Sequence, residues 1–89
     1  MIISVVIPCY NVSNHIEDVI KQLPAEISWV IAVNDCSKDG TEKILLRLAG
    51  ENKKIVLINH EVNQGVGGAM LTGFKKSIEL NSDITIKFN

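Results

Sequence analysis

The chain has 89 residues, 46% of them hydrophobic and 21% charged, with a net charge of −1. That length allows one domain, spanning 1–89, whose core is marginal, because so short a chain hides only about 60–65% of its unfolded surface. Its nine basic and ten acidic residues are scattered, which excludes the one-sided basic face of a nucleic-acid binder.

Four apolar runs mark the chain at near-even intervals: IISVVI from Ile2, SWVIAV from Ser28, IVLI from Ile55 and DITIKF from Asp83. The interval is close to the roughly 30 residues of a βαβ unit. The first three runs are nearly continuous in Val and Ile, as strands read when helices cover both faces of a parallel sheet. The fourth alternates through Ile84, Ile86 and Phe88 and reads as nearer an edge. Helices fit the gaps. In the first, Ile16, Val19, Ile20 and Leu23 share a face, with Asn14 and Glu17 as a capping box and Pro24 as the stop. In the second, Asp39 and Glu42 repeat the box, Ile44, Leu45 and Leu48 form the stripe, and Gly50 closes it. In the third, Val66, Met70, Phe74 and Ile78 recur every four residues as an expected core stripe. The expected fold is a three-layer α/β/α half-Rossmann with a parallel sheet in the order 3-2-1-4 and right-handed crossovers.

No run approaches the length needed to cross a bilayer, and the N-terminus lacks the basic region of a signal peptide. Two cysteines without an export signal point to a reduced cytoplasmic setting. Cys9 and Cys36 follow neighbouring strands but have no histidine beside them in sequence, so neither reads as a functional thiol. His15 and His60 share no ligand spacing with another His or Cys and read as surface or capping residues.

Ligands of such sheets bind beyond the carboxyl ends of the strands. After the first strand come Pro8, which is expected to end the ladder for want of an N–H, and then Cys9, Tyr10 and Asn11. After the second comes Asn34-Asp35-Cys36-Ser37-Lys38-Asp39-Gly40-Thr41, where Asp35 can accept from a base or ribose or serve turn chemistry, and Asp39 reads as a helix cap. After the third comes Asn63-Gln64-Gly65-Val66-Gly67-Gly68. Its glycines allow either a tight turn or close backbone approach, and the N–H groups opening the third helix can face an anion. Neither the dinucleotide fingerprint nor a P-loop is present.

SVVIPCYN, VNDCSKDGT and NQGVGGAMLTGF, in that order and spacing, resemble the first three blocks of family 2 glycosyltransferases. These are GT-A-fold enzymes with a dolichol-phosphate mannosyltransferase-like branch, and the resemblance covers essentially the whole chain. It implies a nucleoside pocket lined by Pro8, Tyr10 and Asp35 with Val33 on its wall. Asn11, Gly65, Gly67 and Gly68 complete the candidate nucleotide-sugar-binding set. It further implies a UDP- or GDP-sugar donor, a lipid-phosphate or saccharide acceptor, and a cytoplasmic place at the inner membrane surface for the full-length protein. Two positions depart from the family pattern: Asn34 stands where an Asp is common, and Cys36 where Gly is common.

In the family the fourth strand runs into a D-x-D motif that grips Mn²⁺ or Mg²⁺, and this sequence reaches Asn89 about where its first Asp would fall. The chain alone is therefore expected to bind donor without transferring sugar, and no catalytic residue or metal ligand is assigned. The alternative reading is a non-catalytic nucleotide-binding or interaction module. A receiver or flavodoxin-like domain would need an acidic pocket or a phosphate loop after the first strand, and Pro8-Cys9-Tyr10-Asn11 supplies neither.

Overall fold

The structure, a computed structural model, describes residues 1–88. The D-x-D expectation at and beyond Asn89 lies outside them. The elements alternate as β1 (Ile3–Cys9), α1 (Ile16–Lys21), β2 (Trp29–Asn34), α2 (Thr41–Glu51), β3 (Ile55–Asn59), α3 (Gly65–Glu79) and β4 (Ile84–Lys87). All pairings are parallel, in the order β3-β2-β1-β4, which is the expected topology. Strand side chains alternate between faces. Val5, Ile7, Cys9, Val30 and Ala32 pack with Ile16, Ile20, Leu45 and Leu48 from α1 and α2. Val6, Ile31 and Val33 pack with Ala69 and Met70 of α3 on the other face. Two covered faces explain why the central strands carry unbroken apolar runs.

Pro8 does not end the ladder. It lies inside β1, paired with Val33, and the strand continues to Cys9. The Cys9 carbonyl accepts from Asp35 on the β2 side, whereas the Val6 carbonyl accepts from Phe88 on the β4 side. Even-numbered residues of β1 thus face β4, and the N–H that Pro8 lacks is missing from that side, past the last β1–β4 pair at Val6 and Lys87. The β1–β2 ladder loses no bond.

The helix boundaries differ from the expected ones. At α1 the cap position is His15, with no side-chain cap from Asn14. At α2 the Asp39 carboxylate does accept the Thr41 N–H, but the formal cap is Gly40 and no reciprocal Glu42 bond forms. Gly50 lies inside α2, which runs on to Glu51.

The α3 stripe also differs. Met70 is buried, but Val66, Phe74 and Ile78 are exposed, and the buried face is Ala69, Met70, Gly73 and Ser77. Each step of four residues overshoots a helical turn by about 40°, so a stripe held to that spacing winds off the sheet. The small residues of the true face let the helix lie close: a Cβ at Gly73 would stand 2.1 Å from Val6 Cγ1. Leu71, Phe74 and Ile78 face outward on α3, and β4, as expected for an edge strand, leaves Ile84 and Ile86 partly exposed.

Candidate functional site

The loops following β1 and β2 are stitched together at the carboxyl edge. Asn11, at a φ of 52°, accepts the Lys38 N–H on Oδ1 at 2.8 Å and donates its own N–H to Ser37 Oγ at 3.0 Å. The Val12 N–H donates to Thr41 Oγ1 at 2.9 Å, and the Ser13 N–H to Asp39 Oδ2 at 3.2 Å. Asp39 therefore ties both loops to the start of α2. The Thr41 hydroxyl beside it, aided by the N–H groups of Thr41 and Ser13, holds its carboxyl well below the usual range.

The two departures in the second block now have physical settings. Asn34 pairs with Asn59 across β2 and β3, donating from Nδ2 to Asn59 Oδ1 at 2.9 Å, while its Oδ1 accepts the Ser37 N–H. Cys36 sits at a φ of 61°, in the left-handed region that glycine enters without steric cost. We expect Cys36→Gly to raise the unfolding free energy by up to about 1 kcal/mol. A lower urea midpoint would mean that the thiol's 3.4 Å contact with the Glu61 carbonyl outweighs the backbone strain.

Asp35 is the centre of the site. It is 3% exposed, and its carboxylate is bonded from three sides. Oδ1 accepts from His60 Nδ1 and from the Gln64 N–H, both at 2.8 Å, and Oδ2 accepts the Gly65 N–H at 2.8 Å. The anion faced by the N–H groups that open α3 is thus an internal one, a carboxylate acting as a helix cap from another strand. Burial alone would push the Asp35 carboxyl up, but His60 and the two N–H groups outweigh it and hold it below its ordinary value.

His60 is not a surface residue. Its side chain is 7% exposed, with Nε2 at 2.8 Å from Thr72 Oγ1 of α3. The sequence did carry a signal for this pairing. Once β3 lies beside β2 with Asn34 opposite Asn59, the next residues, Asp35 and His60, fall side by side.

Lowered carboxyl groups stabilise the fold above their unfolded-state values and lose that contribution as pH falls through their folded-state values. For Asp35 and Asp39, with Glu17 held at about 2 by hydrogen bonds from Arg47 and Lys21, stability should be level from pH 7 to about 5 and fall steeply below about 4. Urea midpoints at pH 7, 5 and 3 check this, and an unchanged midpoint at pH 3 would count against it.

Beside Asp35 opens a cleft of about 240 Å³, lined by Pro8, Cys9, Tyr10, Asp35, Asn63, Gly65, Val66 and Ala69. Four of the expected residues, Pro8, Tyr10, Asp35 and Gly65, meet there, and Tyr10 is 49% exposed with its ring free to meet a ligand. The others stand outside the lining. Val33 is fully buried in the core under α3, Asn11 holds the loop junction, Gly67 is exposed, and Gly68 packs on Gln64. Cys9 is buried, donates to the Ile7 carbonyl, and has its thiol pushed up by burial to about 12, so it lines the cleft as an apolar wall. A larger cleft of about 350 Å³ lies at the opposite edge of the sheet among Leu23, Pro24, Leu48 and Ile55. Its charged residues Lys21, Glu51 and Lys54 are all solvent-exposed, and it contains no buried polar group to orient a ligand. Among the described residues no group of three His, Cys, Asp or Glu side chains could hold a metal ion. The described residues therefore do not fit the divalent ion that the family pattern implies.

A buried, oriented carboxylate and an exposed aromatic ring share one cleft at the carboxyl edge of a parallel α/β sheet, the edge at which ligands of doubly wound α/β proteins bind. The chain belongs to glycosyl transferase family 2, whose profile matches residues 4–78. It is similar to a UDP-N-acetylglucosamine–dolichyl-phosphate N-acetylglucosaminyltransferase of Methanococcus voltae, at 39% identity over 99% of this chain and 40% of the relative. It is also similar to a dolichyl-phosphate beta-glucosyltransferase of Trichomonas vaginalis, at 30% identity over 80% of this chain and 25% of the relative. A poly-beta-1,6-N-acetyl-D-glucosamine synthase of Staphylococcus aureus is 30% identical over 84% of this chain and 19% of the relative. The chain thus spans less than half the length of these relatives. No helix among the described residues is long and apolar enough to cross a membrane.

Proposed function

We propose that the chain is the donor-binding part of a sugar-transferring enzyme, and that its cleft receives the nucleoside end of a nucleotide-diphosphate sugar. The observation that carries this reading is Asp35, an ionised carboxylate held in one orientation at the wall of a cleft that also presents Tyr10. Tyr10 offers a face for the base and Asp35 an acceptor for a base N–H. The cleft is smaller than the roughly 300–1,000 Å³ of pockets that enclose whole small molecules, so it suits the nucleoside and leaves diphosphate and sugar outside. The likeness to the UDP-N-acetylglucosamine–dolichyl-phosphate transferase of Methanococcus voltae favours a uridine diphosphate sugar and a lipid-phosphate acceptor. Those assignments extend to a place at the membrane surface for the full-length enzyme. A Mn²⁺ or Mg²⁺ ion on the diphosphate would be held by residues other than those described, and catalysis is assigned to none of them.

Titration of the ¹⁵N-labelled chain with UDP and GDP tests the reading. Shifts are expected at Tyr10, Asp35, Asn63 and Gly65, with an affinity of about millimolar. Tyr10→Ala should weaken binding about fivefold or more, the loss of one stacked ring, without changing the fold. Shifts confined to Ile20, Leu23 and Leu48, at the opposite cleft, would overturn the placement.

A further inference from the structure

The pair His60 and Thr72 stands behind the cleft rather than in it. A carboxylate offers about four acceptor positions and no donor. Asp35 has three of them filled, two on Oδ1 by His60 and Gln64 and one on Oδ2 by Gly65. The remaining position is therefore on Oδ2. Because a carboxylate only accepts, the hydrogen bond fixes the His60 proton on Nδ1. His60 Nε2 lies 2.8 Å from Thr72 Oγ1, a bond the hydroxyl can make as donor or acceptor. The bonds link Thr72 on α3, through His60 at the end of β3, to Asp35 at the end of β2.

We propose that His60 is a positioning residue of the donor site, with Thr72 fixing its ring, and that together they turn Asp35 so that the free acceptor on Oδ2 meets a nucleoside N–H. The inference rests on the reading of the cleft given above. The N–H groups of Gln64 and Gly65 already tie Asp35 to the start of α3. What His60 adds is saturation of Oδ1, which removes the rotation that would present the wrong oxygen to the ligand. A pair that merely stapled β3 to α3 would lower the unfolding midpoint and leave the affinity of the folded protein unchanged.

The test measures UDP and GDP affinity for the parent chain, Tyr10→Ala, His60→Phe, His60→Asn, Thr72→Val and Thr72→Ser, at a temperature where each is fully folded. It also records the imidazole ¹⁵N spectrum of His60. His60→Phe should bind about tenfold more weakly, as expected for a lost hydrogen bond to a charged group. His60→Asn, whose amide can still donate to Asp35, should recover most of that loss. Thr72→Val should bind about threefold more weakly, the lower end for one neutral hydrogen bond, and Thr72→Ser should restore it. The spectrum should show a protonated Nδ1. Parent affinity in folded His60→Phe, or a ring protonated on Nε2 alone, would overturn the proposal. Should His60→Phe not fold, Thr72→Val decides, since it leaves the ring in place. If Tyr10→Ala also binds like the parent, the reading of the cleft has failed. If Tyr10→Ala weakens binding while the His60 and Thr72 variants do not, only the positioning role has.

Discussion

Replacing Asp35 with alanine is expected to cost the fold about 3–5 kcal/mol, the range for breaking a buried charged network by removing one partner. The substitution leaves His60 Nδ1 and the N–H groups of Gln64 and Gly65 without their acceptor at a largely buried position on the cleft wall. It also removes the negative charge at the start of α3, where the helix dipole favours one. A domain of this length has a total stability of roughly 4–13 kcal/mol, so the variant should lose a large share of it and unfold at room temperature if the parent lies near the lower end. Guanidinium titration followed by circular dichroism measures the loss. A cost below about 1 kcal/mol would mean that water or neighbouring groups replace the carboxylate, against the burial seen here. The result matters for function as well. Loss of nucleotide binding in Asp35→Ala would mix lost stability with the missing contact, so the exposed Tyr10 is the cleaner probe of the cleft.

Gly73→Ala is expected to destabilise by about 1–3 kcal/mol, although alanine is the better helix former by about 1 kcal/mol. The added Cβ would meet Val6 Cγ1 at 2.1 Å, Cγ2 at 3.1 Å and Cβ at 3.2 Å. Val6 is fully buried in the central strand, and a β-branched side chain there has no free rotamer in which to retreat. Helix α3 would have to lift, and with it Gly65 and the cap on Asp35. Gly67→Ala serves as the control. No atom lies within 4 Å of its Cβ position, so it should stabilise by about 0.5–1 kcal/mol. Thermal unfolding of both variants tests the pair of opposite signs. Val6→Ala combined with Gly73→Ala should be less destabilised than the sum of the single changes, because the two sites share one contact.

The sequence by itself determined the alternation of four strands and three helices and the parallel sheet. Those features follow from local periodicity: unbroken Val and Ile runs demand two covered faces, and helical gaps of even length demand parallel crossovers. The strand starts at Ser28, Ile55 and Asp83 fall within one residue of the observed ones. The three motif blocks likewise placed Pro8, Tyr10, Asp35 and Gly65 at one sheet edge, where the structure gathers them around a cleft. Only the tertiary structure decided which face of α3 is buried. That choice depends on how closely the helix approaches Val6, and a close approach selects Gly73 and Ala69 over Phe74 and Ile78. It also decided the partners of Asp35. A carboxylate at a strand end reads alike in sequence whether it faces solvent, ligand or its own protein. The neighbours that bury Asp35, His60 from β3 and two N–H groups from the start of α3, come from residues 25 to 30 positions away. Hydrogen bonds across that separation are set by strand register and helix docking, and no local pattern records them.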